Sequence, residues 1–348
     1  MRRLPQYVLK VGDIVFGRKG GVEKSALIGP EQDGWFLGSD GIRARPLDFG
    51  HGQYLALQVQ SARVQRWLLQ KAIGTTMPSL NHEILGSVTI PFPPTSSERE
   101  AIAEALSDAD ALIGSLEQLI TKKQQIKQGA LQQLLSGKKR LPGFGGEWVA
   151  KRLGDTATLK ARIGWQGLTT AEYRDSGDYV LVTGTDFKDG YIDWSGCHYV
   201  SKARYMQDER IQLKKQDVLL TKDGTIGKVA FVEDLSKPAT LNSGVFVIRP
   251  LGNAFHPEFF YYLLRSRVFA EFLLQLSAGS TITHLYQKDF VNFVFRIPLT
   301  MEEQAAIAVI LSAMDKEIAA LEDRLSKARQ IKEGMMQELL TGRIRLHE

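Results

Sequence analysis

From Ile307 the apolar positions Ile307, Leu311, Met314, Ile318, Leu321 and Leu325 advance by four, three, four, three and four, the rhythm of a coiled-coil seam. Ile102, Leu106, Ala109, Ile113, Leu116 and Ile120 repeat it. Leu112, Leu119 and Ile126 widen this earlier stripe, which predicts a helix packed against more than one neighbour. Thr95-x-x-Glu98 and Thr300-x-x-Glu303 read as capping boxes, in which hydroxyl and carboxylate satisfy the backbone donors that a first turn leaves free. Gly137 and Gly342 close the two patterns, and Pro91, Pro93, Pro94 and Pro298 fit an extended approach to each start. Long helices are predicted over Thr95–Ser136 and Thr300–Thr341, and ~40 residues at ~1.5 Å each give rods of up to ~60 Å.

The two patterns belong to a duplication. "IKQGALQQLLSGKKRL" (Ile126 to Leu141) matches "IKEGMMQELLTGRIRL" (Ile331 to Leu346) at nine of sixteen positions with an offset of 205, a period too long for a solenoid repeat. Upstream, "LKVGDIVFGRKGGVEKSALI" (Leu9 to Ile28) aligns with "LKKQDVLLTKDGTIGKVAFV" (Leu213 to Val232) at an offset of 204. Both read as strand, glycine turn, strand. Matched pairs include Asp13/Asp217, Gly20/Gly224, Lys24/Lys228, Arg45/Arg249, Gly74/Gly279 and Leu80/Leu285.

Domain and helix are therefore repeated together, and the predicted fold is α+β: mixed α/β domains at 1–95 and 142–300 alternating with long helices at 96–141 and 301–348. A duplicated unit must turn back on itself to join its two seams, so the helices are expected to form an antiparallel coiled coil. Pro142–Gln212 has almost nothing opposite it in the first copy. The chain thus reads as starting near the middle of a domain, with its first module N-terminally truncated.

Composition narrows the class. With 348 residues and 43% apolar content, the chain can fill more than one core. A lone Cys197, an opening "MRRLPQYVLK" without an apolar signal core, and no apolar run approaching ~18 residues indicate a soluble cytoplasmic protein with no membrane role. Lys and Arg number 44 against 39 Asp and Glu, and the pI is near 9.1; this permits an anionic partner without requiring one. The positive excess sits in the globular segments.

Catalytic signatures are sparse. "KDGTIGKV" lacks the first glycine and the final hydroxyl of a phosphate-binding loop. Six singly scattered histidines and one cysteine form neither HExxH nor a ligand cluster, and no NPP[YF] methyltransferase signature occurs. No cofactor, metal site or catalytic residue is assigned. The one enzymatic lead is "GDYVLVTGTDFK", where Asp178, Asp186 and Lys188 imitate the carboxylate-plus-lysine layout of a metal-dependent nuclease. The same stretch reads as a strand entering a charged hairpin with Asp189-Gly190 at its turn.

Glycine-rich basic turns remain. In "GRKGG" and "TKDGTIGK" basic side chains stand beside glycines that let backbone amides approach phosphates. Lys222 and Lys228, with neighbouring Thr221, are candidate DNA contacts on the second module; Arg18, Lys19 and Arg43 are the candidates on the first. Solvated hairpin tips are the alternative reading. Trp165, Trp194 and Tyr286 could meet bases or fill a core.

The helical stretches "IPFPPTSSEREAIAEALSDADALI" and "IPLTMEEQAAIAVILSAMDKEI", leading into "IKQGALQQLLSG" and "IKEGMMQELLTG", resemble the specificity subunit of type I restriction-modification systems. "LPGFGGEWVAKRLGD" (Leu141 to Asp155) is similar to the start of that family's target-recognition domains, and "LLTKDGTIGKVAF" to their central hairpin. The resemblance spans nearly the whole chain. It implies a non-catalytic reader of double-stranded DNA: each recognition domain binds half of a split target, and paired helices act as the spacer. At 3.4 Å per base pair, ~60 Å of helix corresponds to at most ~18 base pairs. The resemblance further implies two docked DNA methyltransferase subunits, which supply S-adenosylmethionine and catalysis, and recruited motor-nuclease subunits. The departure from the family pattern is the short first module. A stand-alone nuclease and a coiled-coil scaffold that does not bind DNA are the competing functions.

Overall fold

The computed structural model describes residues 5–48, 51–74, 76–163, 167–277 and 284–346. The chain forms two compact units, one of residues 1–121 with 319–348 and one of residues 122–318.

In the first unit, alternation at Ile14 and Phe16 turns one face of β1 (Ile14–Gly17) inward. β1 pairs antiparallel with β2 (Ser25–Leu27) and β3 (Gly41–Ala44), in the order β2-β1-β3, with Ile14 opposite both Leu27 and Ala44. Helices α1 (Gly52–Gln60), α2 (Ala62–Lys71) and α3 (His82–Gly86) follow. Ala56, Val64 and Leu68 close over Ile14, Phe16, Val22 and Ile42 to make the core. Ser61 and Asn81 cap α2 and α3 by accepting from the Val64 and Ile84 amides. The wholly buried Asp13 accepts from Arg45 Nε and Nη2 at 2.6 and 2.7 Å and from the Lys10 amide at 2.8 Å. α4 then runs from Ser96 to Leu134.

The second unit holds β4 (Val149–Arg152), α5 (Leu153–Thr156), β5 (Ala157–Lys160), β6 (Tyr179–Val182), β7 (Phe187–Lys188), β8 (Tyr191–Ile192), β9 (His198–Val200) and α6 (Lys202–Met206). Next come β10 (Val218–Thr221), β11 (Val229–Phe231), β12 (Ala239–Leu241), β13 (Val245–Pro250), α7 (Pro257–Leu264), α8 (Arg267–Ser277), α9 (Gln287–Phe290), β14 (Val294–Ile297) and the start of α10 (Met301–Leu339). The strands form sheets ordered β5-β13-β10-β11-β8-β7, β12-β6-β9 and β14-β4. The period of two divides the central strands between two cores. Val218, Leu220, Phe246 and Ile248 face an aromatic core with α7 and α8, whereas Leu219, Val245 and Val247 face the β6 side.

The duplication persists in three dimensions. β11-β10-β13 repeats the order β2-β1-β3, and α7, α8 and α9 follow as α1, α2 and α3 do. Arg249 Nε and Nη2 donate to buried Asp217, each at 2.6 Å, and the Lys214 amide adds a bond at 2.7 Å, reproducing the Asp13 arrangement. The Leu9 amide donates to the Trp35 carbonyl and the Leu213 amide to the Ala239 carbonyl, both at 2.8 Å. Beyond this shared part, the second unit carries β6 and β9, which have no counterpart among the described residues of the first. β12 is wholly buried beside β6, while Trp35 and Phe36, at the matching place in the first unit, are 60% and 56% exposed.

α4 and α10 contribute to both units, and their partners run in opposite directions within each. In the first unit Glu117 meets Arg329 at 2.6 Å, Asp110 meets Lys332 at 2.5 Å and Glu98 meets Arg345 at 2.5 Å. In the second, Lys123 pairs with Glu317, Lys127 with Asp315 and Arg140 with Glu303. The helices are therefore antiparallel. Leu116, Ile120, Leu321 and Ala328 bury their seam in the first unit. The extra stripe behaves otherwise than expected. Leu112, Leu119 and Ile126 are 49%, 39% and 48% exposed, and the additional neighbours of α4 are met by Ile102, Ala103 and Leu106 against Tyr54 and Leu57 of α1.

The capping boxes are also reshaped. Thr95 and Thr300 accept from the Glu98 and Glu303 amides at 3.3 and 3.4 Å, but the two carboxylates receive bidentate guanidinium bonds from Arg345 and Arg140. Duplication of the "GKKRL" and "GRIRL" segments thus has a physical reason. The arginine ending one helical segment binds the glutamate that begins the other.

Candidate nucleic-acid interface

The hairpin joining β10 to β11 carries the basic turn of the second module. Gly224, at φ +69, stands at its tip, a conformation that glycine adopts without a Cβ clash. Thr221 braces the turn from inside: its hydroxyl donates to the Thr225 carbonyl at 2.6 Å and accepts from the Lys228 amide at 2.9 Å. Lys222 folds inward, its ammonium 5.7 Å from the Phe246 ring centre and 3.4 Å from Asp223; only 14% of its side chain is exposed. Lys228 is exposed, and among the described residues its ammonium has no hydrogen-bond or ion-pair partner.

A second segment closes on this tip. The Leu285 amide donates to the Lys222 carbonyl at 2.8 Å, and His284 hydrogen-bonds Asp223. The 55% exposed Tyr286 ring lies 4.4 Å from the His284 ring and 5.5 Å from the Lys288 ammonium. Beside the hairpin is a cleft of about 370 Å³ whose walls include Tyr173, Thr185, Thr225, Lys228 and Asn242. Trp194 packs against the β6-side core. Trp165 and Gly279 lie outside the described residues.

The corresponding turn of the first module has Gly20 at φ +76 and exposed Arg18 and Lys19. The Leu80 amide donates to the Arg18 carbonyl at 2.9 Å, the counterpart of the Leu285–Lys222 bond. Arg43 is tied back, donating from Nη1 to the Val8 carbonyl at 3.1 Å. Arg18 matches the inward Lys222, whereas Lys24 is exposed at the place matching Lys228, so the basic pair exposed in both turns is Lys24/Lys228. The aligned pair was legible in the sequence, although Lys24 was not among the residues that charge and glycine content singled out.

The possible nuclease carboxylates have other duties. Asp186, buried, accepts from the Thr183 amide at 2.7 Å and its hydroxyl at 3.0 Å. Lys188 pairs with Asp193; that ammonium, with Ser195, holds the Asp193 carboxyl at about 2. Asp178 is exposed just before β6. Among the described residues no three His, Cys, Asp or Glu side chains gather as metal ligands. Burial pushes the Cys197 thiol up to about 12, unlike an activated nucleophile. No helix among the described residues is long and apolar enough to cross a membrane.

Comparison with known proteins decides the family. A family model described as "Type I restriction modification DNA specificity domain" matches residues 2–128 and 145–330. The chain belongs to that family. It is 24% identical over 299 residues to the type I restriction enzyme MjaVIII specificity subunit of Methanocaldococcus jannaschii, covering 81% of this chain and 68% of the relative. It is also 24% identical over 360 aligned positions to the putative MjaX specificity subunit of the same organism, covering 99% and 81%. The crystal structure of the type I S subunit from M. genitalium shares the fold, with a TM-score of 0.68, 17% identity, and coverage of 97% of this chain and 85% of that one. The resemblance in the helices and hairpins was therefore to the right family, and its α+β architecture with paired antiparallel helices is the architecture found.

Proposed function

We propose that this specificity-family chain reads a bipartite DNA target for a type I methyltransferase and restriction complex, acting in the cytoplasm and leaving catalysis to its partners. Residues 142–300 serve as the full-length target-recognition domain and 1–95 as a shorter one, with 96–141 and 301–348 as spacer helices. Two methyltransferase subunits would dock and provide S-adenosylmethionine, and motor-nuclease subunits would join that core. The observation that carries this reading is the recurrence of one hairpin, with an exposed lysine at the same place, in two modules joined to duplicated helices.

Lys228, Arg18 and Lys19 are proposed phosphate contacts, to which Lys24 is added. Thr221, Lys222 and Arg43 would act by holding those turns in shape. Exposure of Trp35 and Phe36, whose counterparts in β12 of the second module are covered by β6, supports the assignment of the first module as the shortened one. The test is a titration of the full chain against duplex DNA at several salt concentrations. Binding whose logarithm falls linearly with the logarithm of salt supports the reading; no binding, or Mg²⁺-dependent cleavage abolished by Asp186→Ala, removes it.

A further inference from the structure

The cleft beside the β10–β11 hairpin is lined by side chains with distinct hydrogen-bonding roles. Asn242 follows β12, and its amide donates to the Val182 carbonyl at 3.0 Å, which fixes its backbone against β6. Its Oδ1 accepts from the Gly244 amide at 3.0 Å. This contact orients the side-chain amide: oxygen toward Gly244 with one lone pair spare, and Nδ2 with no partner among the described residues. Asn242 lines the cleft and is half-buried.

Thr185 lines the same cleft and presents the opposite character. The Thr183 hydroxyl donates to Asp186 at 3.0 Å, so its remaining capacity is to accept. The Thr185 amide donates to Thr183 Oγ1 at 3.3 Å, and Thr185 Oγ1 lies 2.6 Å from it. With the Thr183 proton on Asp186, the Thr185 hydroxyl is the donor of that pair and keeps its lone pairs to accept. Lys228, whose ammonium has no partner among the described residues, stands on the cleft's border.

In the major groove adenine shows an acceptor beside an amino donor, guanine two acceptors, thymine an acceptor and a methyl group, and cytosine an amino donor. A side-chain amide with one donor and one acceptor available matches adenine in two bonds. A neighbouring hydroxyl that can only accept disfavours guanine and thymine, whose groove atoms are acceptors. We propose that Asn242 reads the major-groove edge of an adenine in the half-site bound by the second module, with Thr185 disfavouring the acceptor-only edges and Lys228 neutralising a flanking phosphate. Position 242 corresponds to Gly38 in the first module, so this reader belongs to one half-site alone.

The inference rests on the DNA-reading function proposed above, and one experiment separates the two. The full chain is used to select binders from randomised duplex DNA, beside Asn242→Asp, Asn242→Ser and Lys228→Ala variants. Asp and Ser both retain an oxygen for the Gly244 amide, so the turn keeps its acceptor. The expected result is an adenine at one position of the wild-type motif. Asn242→Asp should replace it by cytosine, with the preference changed about 5- to 150-fold, the range that follows from ~1–3 kcal/mol per base contact. Asn242→Ser should lose the preference without gaining another, and Lys228→Ala should weaken all sequences alike. An unchanged motif in Asn242→Asp and Asn242→Ser, or uniform weakening by both, overturns the adenine assignment while leaving DNA reading intact. A wild-type chain with no sequence preference overturns both.

Discussion

A lysine adds to salt-dependent DNA affinity only if its ammonium is free to displace a counterion. Lys228 meets that condition, whereas Lys222 lies against Phe246 and Asp223. Lys228→Ala is expected to lower the salt slope of binding by about one charge, and Lys222→Ala to change it by much less while lowering the thermal midpoint; salt titrations and melting curves of both variants check this. Charge beside glycine made both lysines visible in the sequence. Their different orientation depends on Phe246, which is distant in sequence, and no local pattern announces it. At Asp13 burial works to raise the carboxyl's pKa, but Arg45, the Lys10 amide and Arg43 outweigh it and leave the net value lowered. A folded value below the unfolded one gives stability that is full above about pH 4 and lost as pH falls through the lower folded value. The thermal midpoint of the wild type should therefore drop below pH 4, and more steeply than that of Asp13→Asn, which lacks this titration although it starts less stable.

At the scale of elements, the long helices were the most legible part. Expected starts at Thr95 and Thr300 fall one residue before the observed Ser96 and Met301, because capping hydroxyls and apolar period are local signals. Which apolar residues are covered was less legible: Leu112 and Leu119 sit beside the seam and widen its apolar stripe yet are exposed. Leu321→Asp places a carboxylate among Leu116, Ile120 and Leu325 and should destabilise the first unit by roughly 3–5 kcal/mol, measured by urea unfolding. Leu112→Gln should stay within about 0.5 kcal/mol of the wild type. The glutamates at the helix starts teach the same lesson. Their spacing suggested local caps, and the structure gives their carboxylates to arginines more than 160 positions away in the sequence.

For the whole molecule, the duplication was the decisive sequence signal, because it carried strand order, the Asp–Arg pairs and the helix-end arginines together. The cleft was not legible. Thr183, Thr185, Asn242 and Lys228 come from three stretches that only the sheets bring together, and the DNA target follows from such groupings rather than from any one motif. The proposed function is sequence-specific DNA recognition by a chain that leaves catalysis to its partners. The most direct measurement is selection from randomised duplex DNA by the purified full chain, followed by competition binding of the enriched and scrambled sequences with Mg²⁺ present. Enrichment of a defined motif, stronger binding to it than to the scrambled duplex by tenfold or more, and intact DNA after incubation are predicted. Equal affinity for both duplexes, or cleavage of either, would contradict it.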